Sequence, residues 1–501
     1  MKRRELLKSM VPIGAALAMI NNKCMLGATA QEAEKKSAEA PDLTRYVAEF
    51  VLNLRYEDIP ADVIALGKKS LLDGFGLALA GSMAESGPIS REYVKSLGCE
   101  NGTSVLMGSA FKTTPRFAAF VNGVSMHADD FDDTQLAVGK DRVYGLLTHP
   151  TTPVLPAVFA TAEALGLSGK EVLAAYFAGV EVETKIAEAI SPRHYVDGFH
   201  STGTCGSFGS AAAVAKLRGL NVEQTLFTFG IVGAEGAGLR ENFGTMTKPF
   251  QAGHAAENGV AASDLARLGW TAAPKILDAP RGFFHAYGGS FELAAIQNKL
   301  GNPWTFAEPG VSLKPYPSGS LTHPAMAAML RLTKKYDIKP GDVDKVDVGT
   351  NKNMPNALIH HQPQTGLQAK FSMEFCMAVL LLERNALLGQ FSDAYVNRPE
   401  VKAMISRINF YVDPEAEKAG YDKMTSLIAV HLKDGKTVTD CADFGKGSPA
   451  DPMNIEEVRA KFRGCADYAN WPKNKADGII EIVEGLEKAA NMKQLSALLT
   501  R

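Results

Sequence analysis

From residue 42 to about residue 305 the chain repeats one pattern, and that pattern limits the fold more than any other feature. Apolar residues return at helical spacing, as in Tyr46, Phe50, Val51 and Leu54, and again in Phe117, Phe120, Val121 and Val124. Between them run alanine- and glycine-rich stretches at 153–166, 171–190, 209–217 and 252–269. Side chains this small let helix backbones approach closely, so the segment predicts a packed all-helical domain. Near Pro315 the character changes. Residues 345–349 alternate polar and apolar, 408–412 read as a second strand, and 427–432 and 437–441 flank Lys433-Asp434-Gly435-Lys436, a hairpin signal. Helices are expected between these strands at 373–387 and 399–406. After Pro452 helical spacing returns at 455–465 and 476–498. The fold class expected is mainly α, with a smaller α+β region set into the chain.

The first thirty residues read as a targeting segment. Lys2-Arg3-Arg4 precedes an apolar stretch from Val11 to Ile20 that is too short to span a bilayer, and Ala28-Thr29-Ala30 offers a cleavage site. The paired arginines resemble a twin-arginine signal, so export to the periplasm, with no stable membrane association, is the expectation. Residues 31–41 read as a linker. With 53 Lys+Arg against 55 Asp+Glu and no basic stripe, nucleic-acid binding is not indicated. Past residue 30 the cysteines are Cys99, Cys205, Cys376, Cys441 and Cys465, with no C-x-x-C pair, so neither a zinc site nor a disulfide framework is indicated.

Five segments carry polar residues suited to chemistry. MHADDFDDT (126–134) sets His127, Asp129, Asp130, Asp132 and Asp133 close together. It fails as a calcium loop, because counting from Asp129 the sixth residue is Thr134 and the twelfth is Lys140. His127 with Asp130 or Asp132 is a fragment of a zinc site, while helix-end hydrogen bonding is the plain reading for Asp129 and Asp133. In LTHP (147–150), Pro150 turns His149 away from helical geometry at the start of a helix. Phe199-His200-Ser201 begins a run with Gly203, Gly206 and Gly209, which reads as close helix packing or as an anion-binding helix start. GTMTKPF (244–250) holds Lys248, shortly after Arg240; pointed inward, a lysine there suits a carboxylate. LKPYPSGSLTHP (313–324) supplies Lys314 and His323 where the two regions of the chain meet.

Together HADDFDDT (127–134), LTHP (147–150), GTMTKPFQAGHAA (244–256), KPYPSGSLTHP (314–324) and QAKFSMEF (368–375) resemble the MmgE/PrpD family, from about residue 42 to the C-terminus. That family includes 2-methylcitrate dehydratases, cis-aconitate decarboxylases and an iminodisuccinate epimerase. The resemblance implies a helical domain of residues 42–306 plus 452–501, an α+β lid of residues 307–451, a homodimer, and an active site between helical domain and lid. Family site positions fall on Asp130, Thr134, His149, His200, Lys248 and His323, with no iron–sulfur cluster, metal or other cofactor. The chain departs from better-known members in three places. The segment between Thr134 and His149 is long and holds Lys140, Asp141, Arg142 and Tyr144. Gln251 and His254 stand where histidine and arginine are frequent. Residues 351–364 carry His360-His361 and no tyrosine, where some decarboxylases present one.

The function expected is a cofactor-independent lyase, dehydratase-like, that removes a proton α to a carboxylate of a small di- or tricarboxylate. His149 and His323 are the expected acid–base pair, with Asp130 orienting or tuning a histidine. Lys248 is expected at the reacting carboxylate. Thr134, His200, Arg240 and Lys314 are expected to bind substrate. An isomerase using the same groups, a non-catalytic carboxylate-binding protein and a metal-dependent hydrolase on the aspartates are the alternatives.

Overall fold

The computed structural model describes residues 42–135, 147–191 and 193–501. The expected signal and linker, and the Lys140–Tyr144 stretch, lie outside those residues. The helical region runs through α1 (Leu43–Asn53), α2 (Ala61–Gly81), α3 (Ser86–Ser96), α4 (Pro115–His127), α5 (Thr151–Leu165), α6 (Gly169–Ile190), α7 (Arg193–Val196), α8 (Ser201–Leu217), α9 (Val222–Glu235), α10 (Thr247–Arg267) and α11 (Phe283–Tyr287). Local chemistry sets several starts. The Asp42 carboxylate accepts the Arg45 N–H, and Ser168 with Glu171 and Asn221 with Gln224 form reciprocal caps on α6 and α9. Short ladders pair β1 (Ser104–Val105) with β2 (Lys112–Thr113), and β3 (Thr134–Gln135) with β4 (Val311–Ser312).

Small residues do what their density predicts. A methyl group on Gly81 would lie 1.7 Å from the Ser125 carbonyl oxygen, so α2 and α4 touch backbone to backbone. Gly123 meets Gly253 where α4 crosses α10, and Gly179 meets Gly209 where α6 crosses α8. The glycines of the 199–209 run therefore serve packing, inside a helix that starts at Ser201.

The α+β region holds α12 (His323–Lys335), α13 (Asn353–Ala357), α14 (Gly366–Ala369), α15 (Met373–Glu383), α16 (Asp393–Val396), α17 (Pro399–Ile405) and α18 (Pro414–Lys418) with β5 (Val343–Thr350), β6 (Ile408–Val412), β7 (Ser426–Leu432) and β8 (Thr437–Ala442). The sheet order is β6-β5-β7-β8, with β5 and β6 parallel and the other pairs antiparallel. The expected hairpin joins β7 to β8, with Gly435 at φ 88°. The chain ends in α19 (Ile455–Tyr468), α20 (Lys473–Glu484) and α21 (Lys493–Leu498). The single helix expected over 476–498 is thus two, interrupted at Gly485. The 373–387 helix stops early, where Arg384 turns to φ 53°.

Two hydrophobic cores result. One gathers Phe75, Phe159, Tyr176, Phe208 and Phe283 with Phe462, Ile479 and Leu495 from the last helices. The other gathers Met326, Val346, Phe375 and Val430. Lys461 of α19 is buried and reaches Asp73 of α2 at 2.7 Å and the Phe131 carbonyl at 2.7 Å, tying the chain's end to the acidic motif. Among the described residues no helix is long and apolar enough to cross a membrane.

Candidate active site

Three helices begin at one cavity. His149 precedes α5, His200 is the cap residue of α8, and Lys248 lies in the first turn of α10. First turns leave backbone N–H groups unused and present the positive end of the helix dipole. The cavity is lined by Asp130, Thr134, His149, His200, Lys248 and Lys314, among others. Both cores lend apolar wall, Leu147 from one and Leu321 and Leu358 from the other; beside them Phe243 stacks on Phe371 with ring centres 5.3 Å apart, and the Lys248 ammonium lies 5.2 and 5.5 Å from the two rings.

The acidic motif leaves α4 at His127 and turns sharply at Asp130, which sits at φ 49°, a left-handed position that aspartate tolerates. The turn brings the Asp130 carboxylate between two buried ammonium groups. Lys248 Nζ donates to one oxygen, and Lys314 Nζ donates to the other at 3.0 Å and to the Asp130 carbonyl at 2.8 Å. Burial would push this carboxyl up, but Lys248 and Lys314 outweigh it and hold it well below the usual range. Lys248 also donates to His127 Nε2 at 2.8 Å. Of three ammonium hydrogens each, Lys248 and Lys314 therefore spend two and keep one among the described residues.

The hydrogen bonds fix the histidine tautomers. His149 Nδ1 donates to the Asp133 carbonyl at 2.8 Å, which leaves its Nε2 as a lone pair. The Gln251 side-chain amide donates to the Leu239 carbonyl, which turns its oxygen to His200 Nδ1 at 2.6 Å. His200 must then carry its hydrogen on Nδ1, and its buried Nε2 has no hydrogen-bond partner among the described residues. Burial, with the lysines nearby, holds both rings well below the ordinary histidine range, so both are neutral near pH 7. Burial likewise lowers Lys248.

The other aspartates hold the frame. Asp129 pairs with buried Lys370 at 2.7 Å, which joins the acidic motif to the segment after α14. Asp133 accepts the Thr151 N–H at 3.1 Å at the head of α5, and burial pushes its carboxyl up to about 7. Asp132 contacts His127 Nδ1 at 2.8 Å and His149 Nδ1 at 3.2 Å. The histidine-contacting aspartate is thus Asp132, and the expectation for Asp130 changes: its carboxylate is occupied by two lysines.

Six of the eight expected residues share the cavity. Thr134 joins it through β3 and bonds the Ser320 hydroxyl at 3.0 Å. His323 does not line it. It faces a smaller neighbouring space behind Lys314 and Ser320, with burial lowering its ring to about 3. Arg240 does not line it either. Its guanidinium stacks on Tyr195 and donates to the Tyr195 and Asn356 carbonyls, facing a groove on the other side of Phe243. His361 pairs with Glu374, and His360 contacts the Phe243 carbonyl at 3.3 Å. His127 and Asp132, weighed from the sequence only as a fragment of a zinc site, stand here as hydrogen-bonding partners, and Tyr195 and Phe371 are site residues that motif reading did not single out. The signal for the first two lay in MHADDFDDT itself, where both stand beside the residues that were chosen.

Donor atoms of His127, Asp130 and His149 lie within 4.8 Å of one another, a spacing a metal ion could use. However, the His127 nitrogen and an Asp130 oxygen already accept hydrogens from Lys248, so that position is held by an ammonium group. This donor set fits an organic anion better than a metal cation.

Comparison with known proteins gives the family. The MmgE/PrpD N-terminal domain matches residues 45–295, and the MmgE/PrpD C-terminal domain matches residues 316–488. Human cis-aconitate decarboxylase is 28% identical over 469 residues, covering 91% of this chain and 94% of that protein. The Mus musculus protein of the same name is 28% identical over 477 residues, covering 91% and 93%. Cis-aconitate decarboxylase of Aspergillus terreus is 26% identical over 501 residues, covering 93% and 98%. With both domain models matched across most of its length, the chain belongs to the MmgE/PrpD family.

Proposed function

We propose that this lyase-type enzyme acts on a small di- or tricarboxylate, without a cofactor, by removing a proton α to a carboxylate and then expelling water; in a decarboxylation the same groups would instead deliver a proton to the carbon that carbon dioxide leaves. The observation that carries the reading is the pairing of a neutral His149, its Nε2 lone pair free among the described residues, with two buried ammonium groups around one cavity. His149 takes the proton. The spare hydrogens of Lys248 and Lys314, with the helix starts behind them, hold the charge that grows on the carboxylate. Lys248, lowered by burial, and the Thr134 hydroxyl are the donors nearest a departing hydroxyl group. His323 faces the neighbouring space that shares Lys314 and Ser320 with the cavity, and is not assigned the proton transfer. The relatives' names make cis-aconitate and its hydrates the first compounds to test.

A second reading has an observation of its own. His149 and His200 both turn neutral Nε2 atoms toward one cavity, an arrangement that suits removal of a proton on one face and return on the other, as in an epimerase. Proton NMR in D₂O with chelator-treated protein separates these outcomes across a panel of hydroxy-, amino- and unsaturated polycarboxylates. Deuterium α to a carboxylate with loss of water or carbon dioxide supports the lyase. Deuterium with inverted stereochemistry and no loss supports the epimerase. No exchange in any compound removes both. Export through the twin-arginine-like segment and assembly as a homodimer belong to the same proposal; N-terminal sequencing of periplasmic protein and sedimentation test them.

A further inference from the structure

We infer that Asp132 is the positioning residue of the site: through one carboxylate oxygen it orients His127, and from the same oxygen, 3.2 Å from His149 Nδ1, it supplies the negative charge that offsets protonation of His149. The inference rests on the proposed function and extends it to a residue that touches no substrate.

The geometry is lopsided in an informative way. One oxygen, Oδ2, meets His127 Nδ1 at 2.8 Å, His149 Nδ1 at 3.2 Å and the Thr152 hydroxyl. The other, Oδ1, is buried with no hydrogen-bond partner among the described residues. The two donors, His127 Nδ1–H and the Thr152 hydroxyl, converge on the oxygen that faces the two rings, whose centres lie 4.7 Å apart.

Each ring then does a separate task. His127, its Nδ1 hydrogen held by Asp132, offers Nε2 to Lys248 and fixes the ammonium over the cavity. His149 offers Nε2 to the substrate. When the substrate C–H bond breaks, its proton forms the His149 Nε2–H bond and the electron pair stays on the substrate, delocalised into the carboxylate. His149 is then a cation among Lys248, Lys314, His127, Asp130 and Asp132. The Asp130 charge is already shared by two lysines, which leaves Asp132 as the anion in contact with the new imidazolium.

The bare Oδ1 makes a clean test possible. In Asp132→Asn the amide oxygen can take the place of Oδ2 and keep both donors, while the NH₂ group occupies the position that has none among the described residues. The substitution removes charge and keeps shape. Thr152→Val removes the second donor without touching either ring, and serves as the control for local disturbance. In Asp132→Asn, kcat for α-proton exchange should fall about 10²-fold with KM changed by less than about threefold, and Thr152→Val should stay near wild type. In the substrate-free protein, the far-downfield proton resonance of His127 Nδ1–H should be present in wild type and move upfield in Asp132→Asn. A wild-type kcat in Asp132→Asn overturns the inference, as does absence of that resonance from wild type or its failure to move. If wild type exchanges no α-proton with any polycarboxylate, the proposed function fails, and the resonance still decides the role of Asp132.

Discussion

Replacing Asp130 with Asn should destabilise the substrate-free protein and make it more responsive to an added carboxylate. The backbone gives no reason for harm, since asparagine accepts φ 49° as readily as aspartate does. The effect is electrostatic. Lys248 and Lys314 are buried to 3% and 1% exposure and share this one carboxylate. An amide oxygen can accept from one of them, but the amide NH₂ then faces the other. Removing one partner of a buried ion pair costs about 3–5 kcal/mol. A chain of this length has an unfolding entropy of about 1 kcal/mol/K, so Tm should fall by about 3–5 °C. A small dicarboxylate replaces the missing anion. At about one hundred times its Kd it adds about 2.7 kcal/mol to either protein, so the larger response should appear as a lower Kd for the variant. Differential scanning fluorimetry at low salt, across a succinate titration, reads both effects. An unchanged or raised Tm in Asp130→Asn, or weaker succinate binding than wild type, would refute the shared-counter-ion argument.

Four other substitutions test separate parts of the construction. Asp133 has its folded-state carboxyl raised to about 7 by burial, while the unfolded chain ionises near pH 4, so this group makes stability decline as pH rises between about 4 and 7; Asp133→Asn should flatten that decline and leave the variant more stable than wild type at pH 8, by up to about 4 kcal/mol, in urea unfolding at both ends of the range. His149→Ala should lower α-proton exchange about 10²–10⁴-fold in D₂O while far-UV circular dichroism is retained, and His323→Ala, outside the cavity lining, should cost at least tenfold less; equal losses would return His323 to the chemistry. Gly81→Ala should cost more than about 4 kcal/mol, because its methyl would sit 1.7 Å from a backbone oxygen and α2 would have to leave α4; a folded variant of near-wild-type stability by thermal unfolding would disprove that contact.

What the sequence made legible follows from what each pattern encodes. Helical spacing and alanine content depend on nearby residues, so α5, α6 and α10 lie within a few residues of the expected ranges, and β6 over 408–412 coincides with its own. The hairpin was readable because Asp-Gly encodes a turn. The two-residue ladders β1–β2 and β3–β4 were not, since strands that short have no periodicity. In the site, Lys248 and Lys314 were legible as cations among turn residues, but their common partner was not: Asp130 lies 118 and 184 residues from them. Arg240 and His323 show the converse limit. Each stands in a promising segment beside the cavity, and whether a side chain faces a cavity or the space behind its wall depends on a single rotation of the local backbone. Asp132 was read only as a fragment of a zinc site for the same reason: four aspartates in one short run look alike until the turn at Asp130 sends them in different directions.

The charges of the site also explain how a histidine can be a base where two ammonium groups stand close by. Those groups, with burial, keep His149 deprotonated at neutral pH, so it arrives with its lone pair free. Their own charges are partly answered by Asp130, so an empty cavity does not carry two bare cations. A substrate carboxylate that takes the remaining hydrogen of Lys248 or Lys314 adds negative charge beside His149, and this raises the ring's affinity for a proton when the proton is to be taken. As the proton leaves carbon, the charge on the carboxylate grows and the lysine hydrogen bonds strengthen with it, which is stabilisation specific to the transition state. The order of events is therefore set by the substrate's own charge: before binding the base is neutral and idle, and binding makes it basic. A neutral amide analogue of the substrate should bind without that effect, so it should show no α-proton exchange even where it fills the cavity.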